Sequence, residues 1–168
     1  YYLTRHEPYA AHAATLLRVW FLNPATRMNP HLQFAQFIPG VNQGRGIGII
    51  DTHALGTVTD SAALLGGSPA WTHHDNRRLR AWFEAYFTWL TTSTNGREEA
   101  GEKNNHGTWY DAQAAHLALY LGQDSWARKL LTAGLQSRIV QHVEPDGRQP
   151  LELARTKRSE EHTSELQS

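Results

Sequence analysis

Six apolar residues spaced for one face of a helix constrain this chain more than any other feature. Leu79, Trp82, Phe83, Tyr86, Trp89 and Leu90 recur at three- and four-residue intervals, the period of an amphipathic helix. Thr72 stands just ahead of them with Asp75 three residues on, the spacing of a capping box, in which side chain and backbone satisfy each other's free N–H groups. Such a helix must bury a wide aromatic stripe, so further helices are needed to cover it. The sequence supplies them. Thr4 and Glu7 fit another capping box, with Pro8 in the first turn and Ala10, Ala13, Leu16, Leu17, Trp20 and Phe21 following at helical spacing. Thr108 and Asp111 mark a helix over 108–121 closed by Gly122, and Ala127, Leu130, Leu131, Leu135 and Ile139 form the inward face of one over 125–141. Asn95-Gly96 reads as the end of the aromatic helix, and Pro145-Asp146-Gly147 as a turn. Residues 34–50 are Gly-rich and lack a helical period, and predict a long ordered loop entering a short helix over 47–55. Helices joined by short turns predict an all-α chain of stacked antiparallel pairs.

Composition narrows the function classes. With no cysteine, a disulfide scaffold, a thiolate zinc site and a cysteine nucleophile are excluded. No apolar run reaches the roughly 18 residues of a membrane span. The last eleven residues, RSEEHTSELQS, read as the translation of a sequencing-library adapter, so residues 158–168 are set aside as a non-native tail and the fold is assigned to residues 1–157. That reading predicts a fragment whose natural chain continued past Lys157. The remainder carries 15 basic and 13 acidic residues, too even a balance for a nucleic-acid binder.

Two constellations suit ligand chemistry. In NNHGTWYDAQ, residues 104–113, two amides and an imidazole precede a helix start, where free backbone N–H groups favour an anion. Tyr110 and Gln113 share one helix face with Leu117, and Trp109 lies beside Ala112 and His116. Asparagine caps and a core Trp or Tyr are the alternative reading. The second runs from Asn42 through Gly44, Arg45 and Gly46 to Asp51, Thr52 and His53. Its glycines permit close backbone approach, and Arg45 could grip a carboxylate with two parallel hydrogen bonds or pair with Asp51. His73 and His74 are adjacent, but there is no HExxH, and no metal site is assigned. GxSxG and P-loop patterns are absent too.

At NNHGTWYDAQ the chain resembles the alginate lyase family of polysaccharide lyases. HAATLLRVWFLNPATRMNPHLQFAQFIPG, GRGIGIIDTHAL, SPAWTHHDNRRLRAWFEAYFTWL, NGREEAGEKNNHGTWYDAQ and EPDGRQPLELARTK carry the same resemblance over residues 8–157. It implies an incomplete (α/α) toroid that cleaves an acidic, uronate-containing polysaccharide by β-elimination, without a cofactor. An exported enzyme is implied as well, periplasmic or secreted, with a signal peptide upstream. Asn105 and His106 match the family's catalytic Asn-His pair, and Arg155 matches its arginine. The family's tyrosine falls six to eight positions further on, within the tail, and Tyr110 is not its equivalent. Arg45 and His53 are assigned as subsite contacts, Trp109 or Tyr110 as a stacking wall for sugar, and Gln113 as a further contact. The chemistry suits these residue types. Removing the C5 proton beside a carboxylate builds charge that amide, imidazole and guanidinium donors can neutralise, while a base takes the proton and an acid delivers one to O4. Two competing readings are a glycan-binding toroid without catalysis and a helical-repeat interaction module. No period near ~34 residues supports the latter. The fragment is expected to be inactive and poorly folded alone, with the Trp82, Phe83, Tyr86 stripe partly uncovered.

Overall fold

The aromatic helix forms as its capping box dictates. In the computed structural model, which describes residues 1–154, α3 spans His73–Thr92 with Thr72 as its cap. The Asp75 N–H donates to Thr72 Oγ1 at 3.1 Å, and the Thr72 N–H donates to the Asp75 carboxylate at 3.1 Å. The Arg18 guanidinium grips the same carboxylate at 2.6 and 3.1 Å and also donates to the Ala70 carbonyl. That pairing holds Asp75 well below the ordinary carboxylate range. One ion pair thereby ties the first helical segment to the start of α3.

The stripe is covered, contrary to expectation. Trp82, Phe83 and Tyr86 are 6%, 0% and 0% exposed. Phe21 packs against Trp82 and Phe83, with centroids 4.8 and 5.7 Å apart, Tyr120 meets the Phe83 edge, and Trp126 meets Phe87. Each such aromatic contact adds about 0.5–1.5 kcal/mol beyond the apolar area it buries.

The first helix departs from the sequence reading at both ends. α1 spans Glu7–Leu17. Arg5 adopts φ 55°, which turns the chain before Thr4 can cap it. Thr4 Oγ1 accepts only the His6 N–H, and the Glu7 carboxylate accepts from Ser68 instead. The helix then widens into a π-turn over Arg18–Leu22. Ala10, Ala14, Leu17 and Phe21 face inward, whereas Leu16 and Trp20 are 47% and 57% exposed.

Instead of one short helix over 47–55 there are two elements, a 3-10 segment at Gly46–Thr52 and α2 at Leu55–Ala63. The 3-10 segment lies tight on α4, which spans Thr94–Gly101. A Cβ on Gly46 would stand 2.6 Å from the Asn95 carbonyl oxygen. α3 ends before Asn95-Gly96, because Ser93 caps α4 by accepting the Gly96 N–H at 2.9 Å. Gly96 sits inside α4 because any Cβ there would overlap the Leu90 carbonyl.

α5 spans Asn105–Tyr120 and begins three residues ahead of the Thr108 reading, capped by Asn104. Gly122, at φ 69°, closes it. The Gln123 and Gly122 N–H groups return to the Ala118 and Leu119 carbonyls, the paired bonds of a Schellman motif. The helix expected over 125–141 is realised as α6 (Asp124–Lys129), a π-turn (Leu130–Gly134) and α7 (Leu135–His142), followed by a short α8 at Pro150–Leu153. The extra residue in the π-turn turns Leu131 and Ile139 outward, 39% and 50% exposed. α5 is the hub, touching α2, α3, α4, α6 and α7. Among the described residues there is no strand. Successive antiparallel helices form an arc of an (α/α) toroid, and no helix is long and apolar enough to cross a membrane.

Candidate active site

The start of α5 gathers the charged groups. Asn104 Oδ1 accepts the His106 N–H at 2.9 Å, the usual service of an N-cap. The next free donor, the Asn105 N–H, is bonded to the Glu152 carboxylate of α8. The anion expected at this helix N-terminus is therefore present, and the chain supplies it.

His106 is buried one residue further, 7% exposed. Its Nδ1 lies 3.1 and 3.2 Å from the two oxygens of Glu99 on α4. Glu99 is wholly buried. Burial first, and then the charges of Glu102, Glu98 and Asp51, push its carboxyl up to about 8, while a hydrogen bond from the Ile50 backbone opposes them. When the carboxyl holds a proton it donates to Nδ1 and leaves Nε2–H as a donor. As a carboxylate it accepts Nδ1–H.

Arg138 of α7 locks this corner. Its guanidinium donates to Asp111 on α5, to the Glu102 carbonyl at 2.7 Å and to the Ala100 carbonyl at 2.9 Å. Asp111 is thus the partner of Arg138 and not of a Thr108 cap. Gly107 leaves room for the clamp, since a Cβ there would stand 2.0 Å from an Arg138 nitrogen and 2.2 Å from the Glu102 oxygen. A cleft of about 350 Å³ opens beside the clamp, lined by Lys103, Asn105, Trp109, His142, Gln149 and Glu152 among others.

The other residues singled out from sequence separate into cleft and core. Trp109 is 42% exposed, and its ring lies 4.9 Å from that of His53, so these two stand together at the surface. Tyr110 points the other way, at 7% exposed, with its hydroxyl donating to the Leu90 carbonyl at 3.5 Å. Burial pushes that phenol up to about 12. It is a core residue, and of the two aromatics only Trp109 is exposed. Gln113 is buried as well: it accepts from Thr52 at 3.2 Å and donates to the Ile49 carbonyl at 3.4 Å, fixing the 3-10 segment to α5. Arg45 donates to the Gln36 side chain at 2.7 Å, and Gln36 in turn reaches Asp51, so the direct Arg45–Asp51 pair does not form. Arg155 lies outside the described residues. Among the described residues no group of three or more metal-ligating side chains comes together.

Glu99, Glu152 and Arg138 were not singled out in the sequence. Glu99 stands in a run of acids, Glu98, Glu99 and Glu102, that reads as a solvated face. Glu99 lies seven residues ahead of His106, but the break between α4 and α5 and not a continuous helix brings them together, so no local signal announces the pair.

The sequence model of the family described as Alginate lyase matches residues 1–164. Among solved structures, an alginate lyase from Bacteroides ovatus, a crystal structure at 1.60 Å resolution, is similar with a TM-score of 0.88 and 42% identity over 94% of this chain. The chain spans 42% of that protein's length. No curated protein matches the sequence.

Proposed function

From the chain's membership in the alginate lyase family, we propose that it carries part of the active site of a polysaccharide lyase cleaving alginate or a related uronate polymer by β-elimination. One observation supports this most: an imidazole, His106, held by a buried carboxyl beside the cleft that Asn105 lines. In the carboxylate state of Glu99, Nδ1–H is fixed and His106 Nε2 is the base for the C5 proton. As the proton leaves, negative charge spreads onto the substrate carboxylate. The Asn105 amide donates to it, and Arg155, by its family match, supplies a permanent cation. Preorganised donors of this kind stabilise a transition state at little reorganisation cost. The imidazolium formed is then balanced by Glu99 at 3.1 Å. Departure of O4 needs an acid, the role of the family's tyrosine. A polymeric substrate does not enter the cytoplasm intact, which supports a periplasmic or secreted location.

The test is incubation of the protein expressed from its complete gene with alginate, polyglucuronate, hyaluronan and chondroitin in separate reactions, reading the ultraviolet absorbance of the C4–C5 double bond that elimination creates. A rise with one polymer, lost by at least a hundredfold in His106→Ala, is the expected result, in the range of general-base removal. Turnover within a few-fold of wild type in His106→Ala overturns the assignment of the base. Binding of a uronate polymer by folded protein with no rise in absorbance replaces catalysis with glycan binding.

A further inference from the structure

Away from the buried pair, α5 presents a surface stripe. At 3.6 residues per turn, Asn105, Trp109, Ala112 and His116 fall on one side of the helix, and the span from Asn105 to His116 is about 17 Å. Trp109 and Ala112 are exposed, and Ala112 is small enough to leave a shallow place between the two rings. At its far end His116 is seated against α2. A Cβ on Gly56 would be 3.2 Å from Cγ, Cδ2 and Nδ1 alike, so the imidazole lies face-on over that glycine.

The hydrogen bonds fix which nitrogen carries the proton. Thr59 Oγ1 donates its single hydrogen to the Gly56 carbonyl at 2.7 Å and stands 2.8 Å from His116 Nε2. A hydroxyl has one hydrogen to give, so Thr59 accepts here and Nε2–H is the donor. Asp60 Oδ1, at 3.4 Å from the same nitrogen, favours the same tautomer. Nδ1 is left with its lone pair and makes no hydrogen bond among the described residues. A ring anchored through Nε2, 35% exposed and in line with Trp109 and Asn105, has the form of a built acceptor.

We propose that His116 is a specificity-determining contact in a distal glycan subsite, its Nδ1 accepting a sugar hydroxyl from a uronate chain that runs from Asn105 over the Trp109 face. The inference rests on the uronate-lyase reading of the Asn105 end. The role of Trp109 is apolar: the ring face of a pyranose covers the indole, while the Nδ1 acceptor at His116 sets the position of the next ring along. Asp60 and Thr59 are positioning residues that act through the imidazole.

The experiment is calorimetric titration of the protein with mannuronate oligosaccharides graded from the disaccharide upward, alongside the absorbance assay. His116→Ala should weaken the longest oligomers about tenfold, the worth of one good hydrogen bond with its desolvation, with a loss that shrinks as the chain shortens. Asp60→Asn, at an exposed position safe for folding, should shift affinity in the same direction by less. His12→Ala, on the exposed side of α1, is the control. A loss equal at every length, or none, overturns the subsite. Length-dependent loss without any rise in absorbance keeps the subsite and removes the lyase reading; turnover with no length dependence at His116 does the reverse. No binding of any uronate oligomer overturns both.

Discussion

Replacing Arg138 with Met should unfold the protein at markedly lower denaturant, and the magnitude follows from what the guanidinium leaves behind. Arg138 is 16% exposed and Asp111 only 3% at the side chain. Methionine fills most of the stem volume but strands a buried carboxylate on α5 and two carbonyls, those of Glu102 and Ala100. Breaking one side of a buried ion pair costs about 3–5 kcal/mol, because the remaining charge has neither water nor partner. For a chain of this size about 4 kcal/mol lowers Tm by roughly 8–16 °C. The assay is urea unfolding followed by tryptophan fluorescence and helical circular dichroism. A second variant sharpens it. Asp111→Leu combined with Arg138→Met removes both charges, and buried pairs exchanged for apolar residues are often neutral or better. The double variant should therefore be more stable than Arg138→Met alone, with a coupling of about 2 kcal/mol or more. Additive losses, or a single-variant loss under about 1 kcal/mol, would refute the claim that this buried charge pair fastens α7 to the start of α5.

Other outcomes follow from the same network. Glu99 is raised in the folded state, so the native protein binds more protons than the unfolded chain between about 4.5 and about 8. Stability should then fall as pH rises through that window, and Glu99→Gln should flatten the fall. Turnover measured against pH should rise through the same upper limb, and Glu99→Gln should erase that limb while still folding. Asp75 has the opposite sign. Its depressed value contributes stability that is present above the unfolded pKa near ~3.9 and lost as pH falls below it, so Asp75→Asn should blunt acid unfolding measured by circular dichroism. Gly107→Ala should destabilise by more than the few tenths expected at an ordinary helical glycine, because the new methyl meets both Arg138 and the fixed Glu102 carbonyl; a stabilised Gly107→Ala in urea titration would show that the clamp yields freely.

What the sequence disclosed was the part governed by local chemistry. The Thr72–Asp75 box, the α3 stripe and the Gly122 stop each depend on residues within a turn or two of one another, and all three form as read. The Thr108–Asp111 spacing is identical in kind, yet α5 starts at Asn105, because Asn104 offers a cap earlier and Asp111 is claimed by Arg138, 27 residues away. The Thr4 cap fails for a backbone reason, the left-handed Arg5, that the residue type does not announce. Trp109 and Tyr110 are neighbours 100° apart on the helix, and only the position of α3 decides that the tyrosine goes inward. Glu99 was least legible of all. Its role arises from Ile50 and His106, brought together by the 3-10 segment and α5, while its sequence neighbours are acids in water.

The carboxylate of Glu152 at the first free donor of α5 also sets a threshold for what can enter. Glu152 is held beside that donor by the fold, 47 residues further along the chain, so acetate, sulfate or a lone monosaccharide acid competes for that backbone N–H at the disadvantage of an intermolecular ligand against an intramolecular one. A ligand displaces it only by arriving with further contacts of its own. A preference for ligands with several contacts over small free acids is in this way built into a single hydrogen bond from Asn105.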